Sequence, residues 1–232
     1  MQHPHAQPFS DTCWSLIEAA RSGESAARSA FTHRYLPVVR AYLAARWRGS
    51  PLFAEIDDAV QEVFLACFRQ GGALDSLDPS RGTGFRAYLF GIVRNIALHA
   101  ETRRARDHDK RGDTTFDPET VAAREASLSR IFDREWARAV VREAADLQSR
   151  RARDAGAEAR RRIELLRLRF QDGKPIRDIA VLWQADPVKL HHDYAQARKE
   201  FLAVLREVLG LHERCSAEQL KAECHRILEL LG

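Results

Sequence analysis

The stretch Ile56-Asp57-Asp58-Ala59-Val60-Gln61-Glu62-Val63-Phe64-Leu65-Ala66-Cys67-Phe68 decides the fold class. Its apolar residues Ile56, Val60, Val63, Phe64, Cys67 and Phe68 recur at spacings of three and four, which predicts a helix with one buried face. Asp57, Asp58, Gln61 and Glu62 fall between them and give another face its carboxylates. The helix is expected to stop at Gly71-Gly72, and a loop rich in Asp, Pro and Gly, Asp75 to Gly84, leads to a second helix near Phe85. Upstream, two further helices fit Asp11 to Arg21 and Ser25 to Trp47, the latter expected to bend or split near Pro37.

Composition agrees with an all-α chain. Of 232 residues 45% are hydrophobic, enough for a real core, and only 12 are Gly and 8 Pro. Ala, Leu, Arg and Glu are strong helix formers, so an all-β fold is excluded. The longest apolar run, Ala87 to Val93, falls far short of the roughly 20 residues that span a bilayer, so no membrane span and a soluble chain are expected. Met1 to Ser10 lacks a basic start followed by an apolar stretch, which argues against a secretory leader and for a cytoplasmic protein. Cys13, Cys67, Cys215 and Cys224 lie far apart inside apolar helical patterns and read as small hydrophobes, not as a disulfide frame.

Charge is unevenly spread. Leu52 to Asp78 holds six acidic residues (Glu55, Asp57, Asp58, Glu62, Asp75, Asp78) against Arg69, whereas Arg81 to Arg111 holds eight basic residues against Glu101, Asp107 and Asp109. Adjacent blocks of opposite sign predict two faces, one for a cationic partner and one for an anionic partner. Gly112 to Pro118 breaks the periodicity and is the expected domain boundary, followed by a long charged helical stretch from Glu119. The domains expected are 10–111 and 130–210, with a linker over 112–129 and an extension over 211–232.

Two constellations suggest nucleic acid. In Phe85-Arg86-Ala87-Tyr88-Leu89-Phe90-Gly91-Ile92-Val93-Arg94-Asn95, preceded by Arg81 and followed by Arg103, Arg104 and Arg106, aromatics alternate with Arg. Rings can stack on exposed bases, guanidinium groups can hold a single strand's backbone and an Asn amide can read a base edge. Leu89 and Ile92 read as core; Arg86, Arg94 and Asn95 read as functional. In the second half, Gln171-Asp172-Gly173-Lys174-Pro175 makes an interhelical turn and a helix-turn-helix follows from Ile176. Trp183 is its expected core anchor, Leu190 and Tyr194 face inward, and Lys189, His191, His192, Gln196 and Arg198 face outward as hydrogen-bond donors to phosphate or base edges. Gln184 occupies a turn position that favours Gly.

The order of these parts resembles the extracytoplasmic-function class of bacterial sigma factors, over roughly Phe31 to Leu209. The resemblance implies a sigma region 2-like helical bundle and a region 4-like helix-turn-helix domain joined by a linker, with an extra C-terminal helix. It implies that Asp57, Asp58, Gln61 and Glu62 dock on the clamp of the RNA polymerase β′ subunit. It further implies that Arg81, Phe85, Arg86, Tyr88, Arg94, Asn95, Arg103 and Arg104 open and hold the −10 promoter element. Pro187, Lys189, His191, His192, Gln196 and Arg198 would face the −35 element in duplex DNA. Gln184 and the stretch His191-His192-Asp193 depart from the family's pattern.

Ser216 to Gly232 begins with a capping box and carries Leu220, Cys224, Ile227, Leu228 and Leu231 on one face, a helix that packs on its own domain or binds a partner. Whether an anti-sigma protein or this helix regulates the chain is open. No phosphate-cradling Gly loop, nucleophile elbow or paired catalytic acids appear, so no enzyme and no cofactor are expected. His212, Cys215, Cys224 and His225 fit no usual zinc spacing. The competing functions are a helix-turn-helix regulator working without polymerase and a helical adaptor that binds only protein.

Overall fold

The computed structural model describes residues 13–77, 84–108, 118–212 and 217–231, and among these residues the regular structure is entirely helical. The order is α1 (Cys13–Arg21), α2 (Ser25–Arg46), a 3-10 turn (Pro51–Glu55), α3 (Ile56–Phe68), α4 (Phe85–His108), α5 (Pro118–Ala155), α6 (Ala157–Phe170), α7 (Ile176–Leu182), α8 (Pro187–His212) and α9 (Ala217–Leu231). No described helix is long and apolar enough to cross a membrane. The chain divides into two compact units: Met1–Ala139 with Leu211–Arg214 and Ile227–Gly232, and Val140–Gly210 with Cys215–Arg226.

The first unit is built on aromatic rings. Phe31 and Tyr35 of α2, Phe64 and Phe68 of α3 and Phe85 of α4 meet edge-on or tilted, with ring centroids 4.7 to 6.3 Å apart. Such edge-to-face arrangements add to burial because ring quadrupoles attract when edge meets face. α2 runs unbroken through Pro37. The carbonyl that Pro37 leaves without a donor belongs to His33, an exposed residue, so water can take its place and the expected split does not occur. α3 ends before Gly71-Gly72 as expected. There a Cβ on Gly72 would sit 2.5 Å from the Arg69 carbonyl oxygen, so only glycine lets the chain turn back.

The linker expected over 112–129 is corrected by α5, which is helical from Pro118, while 112–117 lie outside the described residues. Leu128, Phe132 and Trp136 are 3%, 0% and 1% exposed. Trp136 stacks on Tyr35 at 5.4 Å, and Phe132 meets Phe90 at 5.1 Å. Residues 130–139, expected in the second domain, therefore complete the core of the first. Spaced by four between charged residues, these three side chains form a narrow apolar stripe that the surrounding Arg and Glu hide from a composition-based boundary.

The second unit holds the helix-turn-helix. Leu165, Leu168, Ile176, Ile179, Ala180 and Leu190 form its core, with Trp183 and Tyr194 packed at the edge. Trp183 is thus a partly exposed neighbour of the core, covered by the Arg161 guanidinium 4.8 Å from its ring, and Ile179, fully buried, is the anchor. Asp186 caps α8 by accepting the Val188 N–H at 3.0 Å. Gln184 has φ 49°, the only positive φ outside glycine among the described residues, as its place in the turn predicts.

Candidate functional site

On α3, the buried stripe Ile56, Ala59, Val60, Val63, Phe64 and Cys67 fixes the helix's rotation and leaves Asp57, Asp58, Gln61 and Glu62 exposed. Burial pushes the Cys67 thiol up to about 12, keeping it a neutral core group. Exposed Leu65 lies one turn beyond Gln61 on the same side. The acidic face is partly neutralised within the chain: Asp57 accepts from Arg40, Glu62 lies 3.9 Å from Arg103 and Glu55 accepts from Arg104 at 3.1 Å. The adjacent blocks of opposite charge therefore face each other in part, and Asp58 and Gln61 stand at the least compensated end.

The α4 residues divide into two groups. Arg81 lies outside the described residues. Phe85 is fully buried among Phe31, Tyr35 and Trp136, so its expected stacking on a base is corrected: the ring belongs to the core. Tyr88 donates its hydroxyl to the Ala73 carbonyl, which ties α4 to the end of α3, and burial raises the phenol above its usual value. Asn95, His99, Thr102, Arg103 and Arg106 are exposed. At spacings of three, four and seven they share one face of the helix.

Arg86 and Arg94 turn toward α5. Arg86 Nη1 donates to Asp133 and Arg94 Nε donates to Glu125 Oε2 at 2.9 Å. The two arginines are eight residues apart on α4 and their two acceptors eight apart on α5, running in opposite order, with the Phe90–Phe132 contact between the pairs. Two turns of each helix are thereby locked together antiparallel.

Glu125 serves a second arginine. Arg46, whose side chain is 5% exposed, donates Nη1 to Glu125 Oε1 at 2.6 Å, and Nε and Nη2 to the two oxygens of Glu101 at 2.7 and 2.9 Å. Its Nη1 also reaches Tyr42 Oη at 3.0 Å, and Trp47 Nε1 donates to Glu101 at 3.0 Å. Burial works against the charge of Arg46, and its bonds to Glu101 and Glu125 outweigh burial and raise its pKa. Burial likewise favours a neutral Glu125, but hydrogen bonds from Arg94 and Arg46 hold its carboxyl below the usual glutamate value. Sequence reasoning missed Arg46, Glu101, Glu125 and Asp133; the matched eight-residue spacing of Arg86/Arg94 and Glu125/Asp133 was the available signal.

On α8, Pro187, Lys189, His191, His192, Gln196 and Arg198 are all exposed, as expected of an outward face. Arg198 lies over the Tyr194 ring at 5.7 Å and Gln196 bonds Glu200 at 3.0 Å. Val188, 76% exposed in the first turn, belongs to this surface and was not singled out in the sequence. Among the described residues no cluster of His, Cys, Asp and Glu could hold a metal ion.

Residues 31–107, which run from α2 to the end of α4, match the Sigma-70 region 2 family. The first unit accordingly contains a segment similar to sigma-70 region 2. α5 lies beyond the matched segment, so the Arg86 and Arg94 locks are additions to it. No curated protein matches the chain.

Proposed function

We propose that this protein is a sigma factor of the extracytoplasmic-function class, a promoter-specificity subunit that binds core RNA polymerase and opens promoter DNA. The observation that carries the reading is the pairing, inside one region 2 domain, of an exposed acidic face on α3 with an exposed polar face on α4. Asp58, Gln61 and Glu62 supply hydrogen-bond acceptors for a cationic surface, here the clamp of the β′ subunit. Asn95, Arg103 and Arg106 supply donors for a displaced strand at the −10 element, with Arg94 at their margin. The outward side chains of α8 face the −35 element, where Lys189 and Arg198 set affinity and His191, His192 and Gln196 set sequence choice.

A helix-turn-helix regulator working alone would use α8 and leave the α3 and α4 faces without a purpose. Transcription reconstituted from purified chain and core polymerase separates the two: the sigma reading expects initiation at a defined start, and a regulator yields none. Permanganate footprinting locates the strand opening. Replacing Asn95 by Ala is expected to reduce the reactivity of unpaired thymines while closed-complex binding persists; normal opening would remove Asn95 from the strand-binding surface.

A further inference from the structure

We propose that Glu125, on α5 and outside the region 2 match, is a positioning residue that aims Arg94 at the backbone of a single DNA strand. The inference rests on the strand-binding reading of α4 and adds a residue from another helix. Glu125 Oε2 takes the Nε–H of Arg94 at 2.9 Å, while Arg46 fixes Oε1 at 2.6 Å. The carboxylate cannot rotate away, because Arg46 is itself buried and held on its other side by Glu101.

Arg94 is thus gripped by one edge of its guanidinium plane. Its Nη1 and Nη2 groups make no hydrogen bond to another described residue, and its side chain is 42% exposed against 23% for Glu125. That end-on edge matches two oxygens of one phosphate, the fork geometry in which arginine exceeds lysine. Arg86, 28% exposed beside an Asp133 that is 18% exposed, sits deeper and serves as the structural counterpart. Arg94 is next to exposed Asn95, so a strand whose base meets the amide has its phosphate within reach of the fork.

The sign of the effect separates positioning from charge. Glu125→Gln removes a negative charge near DNA, and charge alone would tighten binding. Positioning predicts the reverse: buried Arg46 claims the single remaining oxygen and turns the amide NH2 toward Arg94, which is released. The probe is a fluorescein-labelled single-stranded DNA of random sequence, read by anisotropy against the full chain, alone and assembled with core polymerase, with core alone as baseline.

Glu125→Gln is expected to weaken binding about threefold to tenfold, the cost of ordering one long side chain. In an Arg94→Ala background the same change is expected to weaken nothing, and Arg94→Ala should lower the slope of log affinity against log salt by about 0.7, one phosphate contact on a single strand. Arg94→Lys, which leaves Glu125 and Arg46 untouched, keeps the charge but lacks the held edge and is expected to lose binding too. Unchanged or tighter binding by Glu125→Gln, or full binding by Arg94→Lys, overturns the inference while the strand-binding reading stands. A wild-type chain with no affinity for single strands above the core baseline overturns both.

Discussion

Gln184 carries the clearest local cost in the molecule. A side chain at φ 49° brings its Cβ against the following carbonyl, a strain of roughly 1–2 kcal/mol that glycine avoids. Gln184→Gly is therefore expected to stabilise the helix-turn-helix unit by up to about 1 kcal/mol after the extra entropy of an unfolded glycine is counted, seen as a higher urea midpoint. A lower midpoint would show that the Gln184 side chain makes up for its backbone. This turn was legible residue by residue, because local sterics alone dictate it. The role of Phe85 was not, since an aromatic among arginines looks the same whether its ring meets a base or Phe31, and only tertiary packing distinguishes them.

At the scale of elements, α5 decides how large the first domain is. Trp136→Ala or Phe132→Ala is expected to cost about 3–5 kcal/mol, the penalty for emptying a fully buried aromatic site. Amide exchange should then rise in α2 and α4, whereas protection of α7 and the start of α8 should hold; loss confined to 140–210 would contradict the assignment. The same junction makes stability depend on pH. Glu125 has a folded value below its usual 4.5, so its contribution is present above that value and is lost as pH falls through the lower folded one. The wild-type melting temperature should drop more steeply below pH 4.5 than that of Glu125→Gln, and parallel curves would show that the junction does not titrate. The periodicity of α3 was readable because its apolar stripe is broad, while the large apolar residues of α5 that enter the first core come one to a turn among charged neighbours.

The whole molecule is expected to join a polymerase to promoter DNA, and charge reversal tests the first half of that task. Asp58→Lys with Glu62→Lys should abolish co-purification with core polymerase while helical content is kept, since leaving an interface charge unpaired typically costs about 2–5 kcal/mol. Undiminished co-purification would remove α3 from the docking surface. For the second half, selection from a randomised −35 library should yield different sequences for wild type and for His192→Ala or Gln196→Ala, and similar sequences at lower yield for Lys189→Ala. The order of the acidic helix, the basic helix and the helix-turn-helix was visible in the chain because each motif is local. The contacts that join distant segments were not, for Arg46 and Glu101 carry no mark of proximity along the sequence, and the eight-residue spacing shared by 86/94 and 125/133 does not by itself say that the two pairs meet.

The group of Arg46, Glu101 and Glu125 constrains descent as well as folding. A buried arginine held by two carboxylates does not tolerate the loss of both, since an uncompensated buried charge costs about 3–5 kcal/mol, yet all members can give way together to apolar side chains at little cost. Positions 46, 101 and 125 should therefore be inherited as a set, charged together or greasy together. Position 125, outside the segment similar to sigma-70 region 2, would then reveal from sequence alone which related chains carry a helix docked where α5 lies.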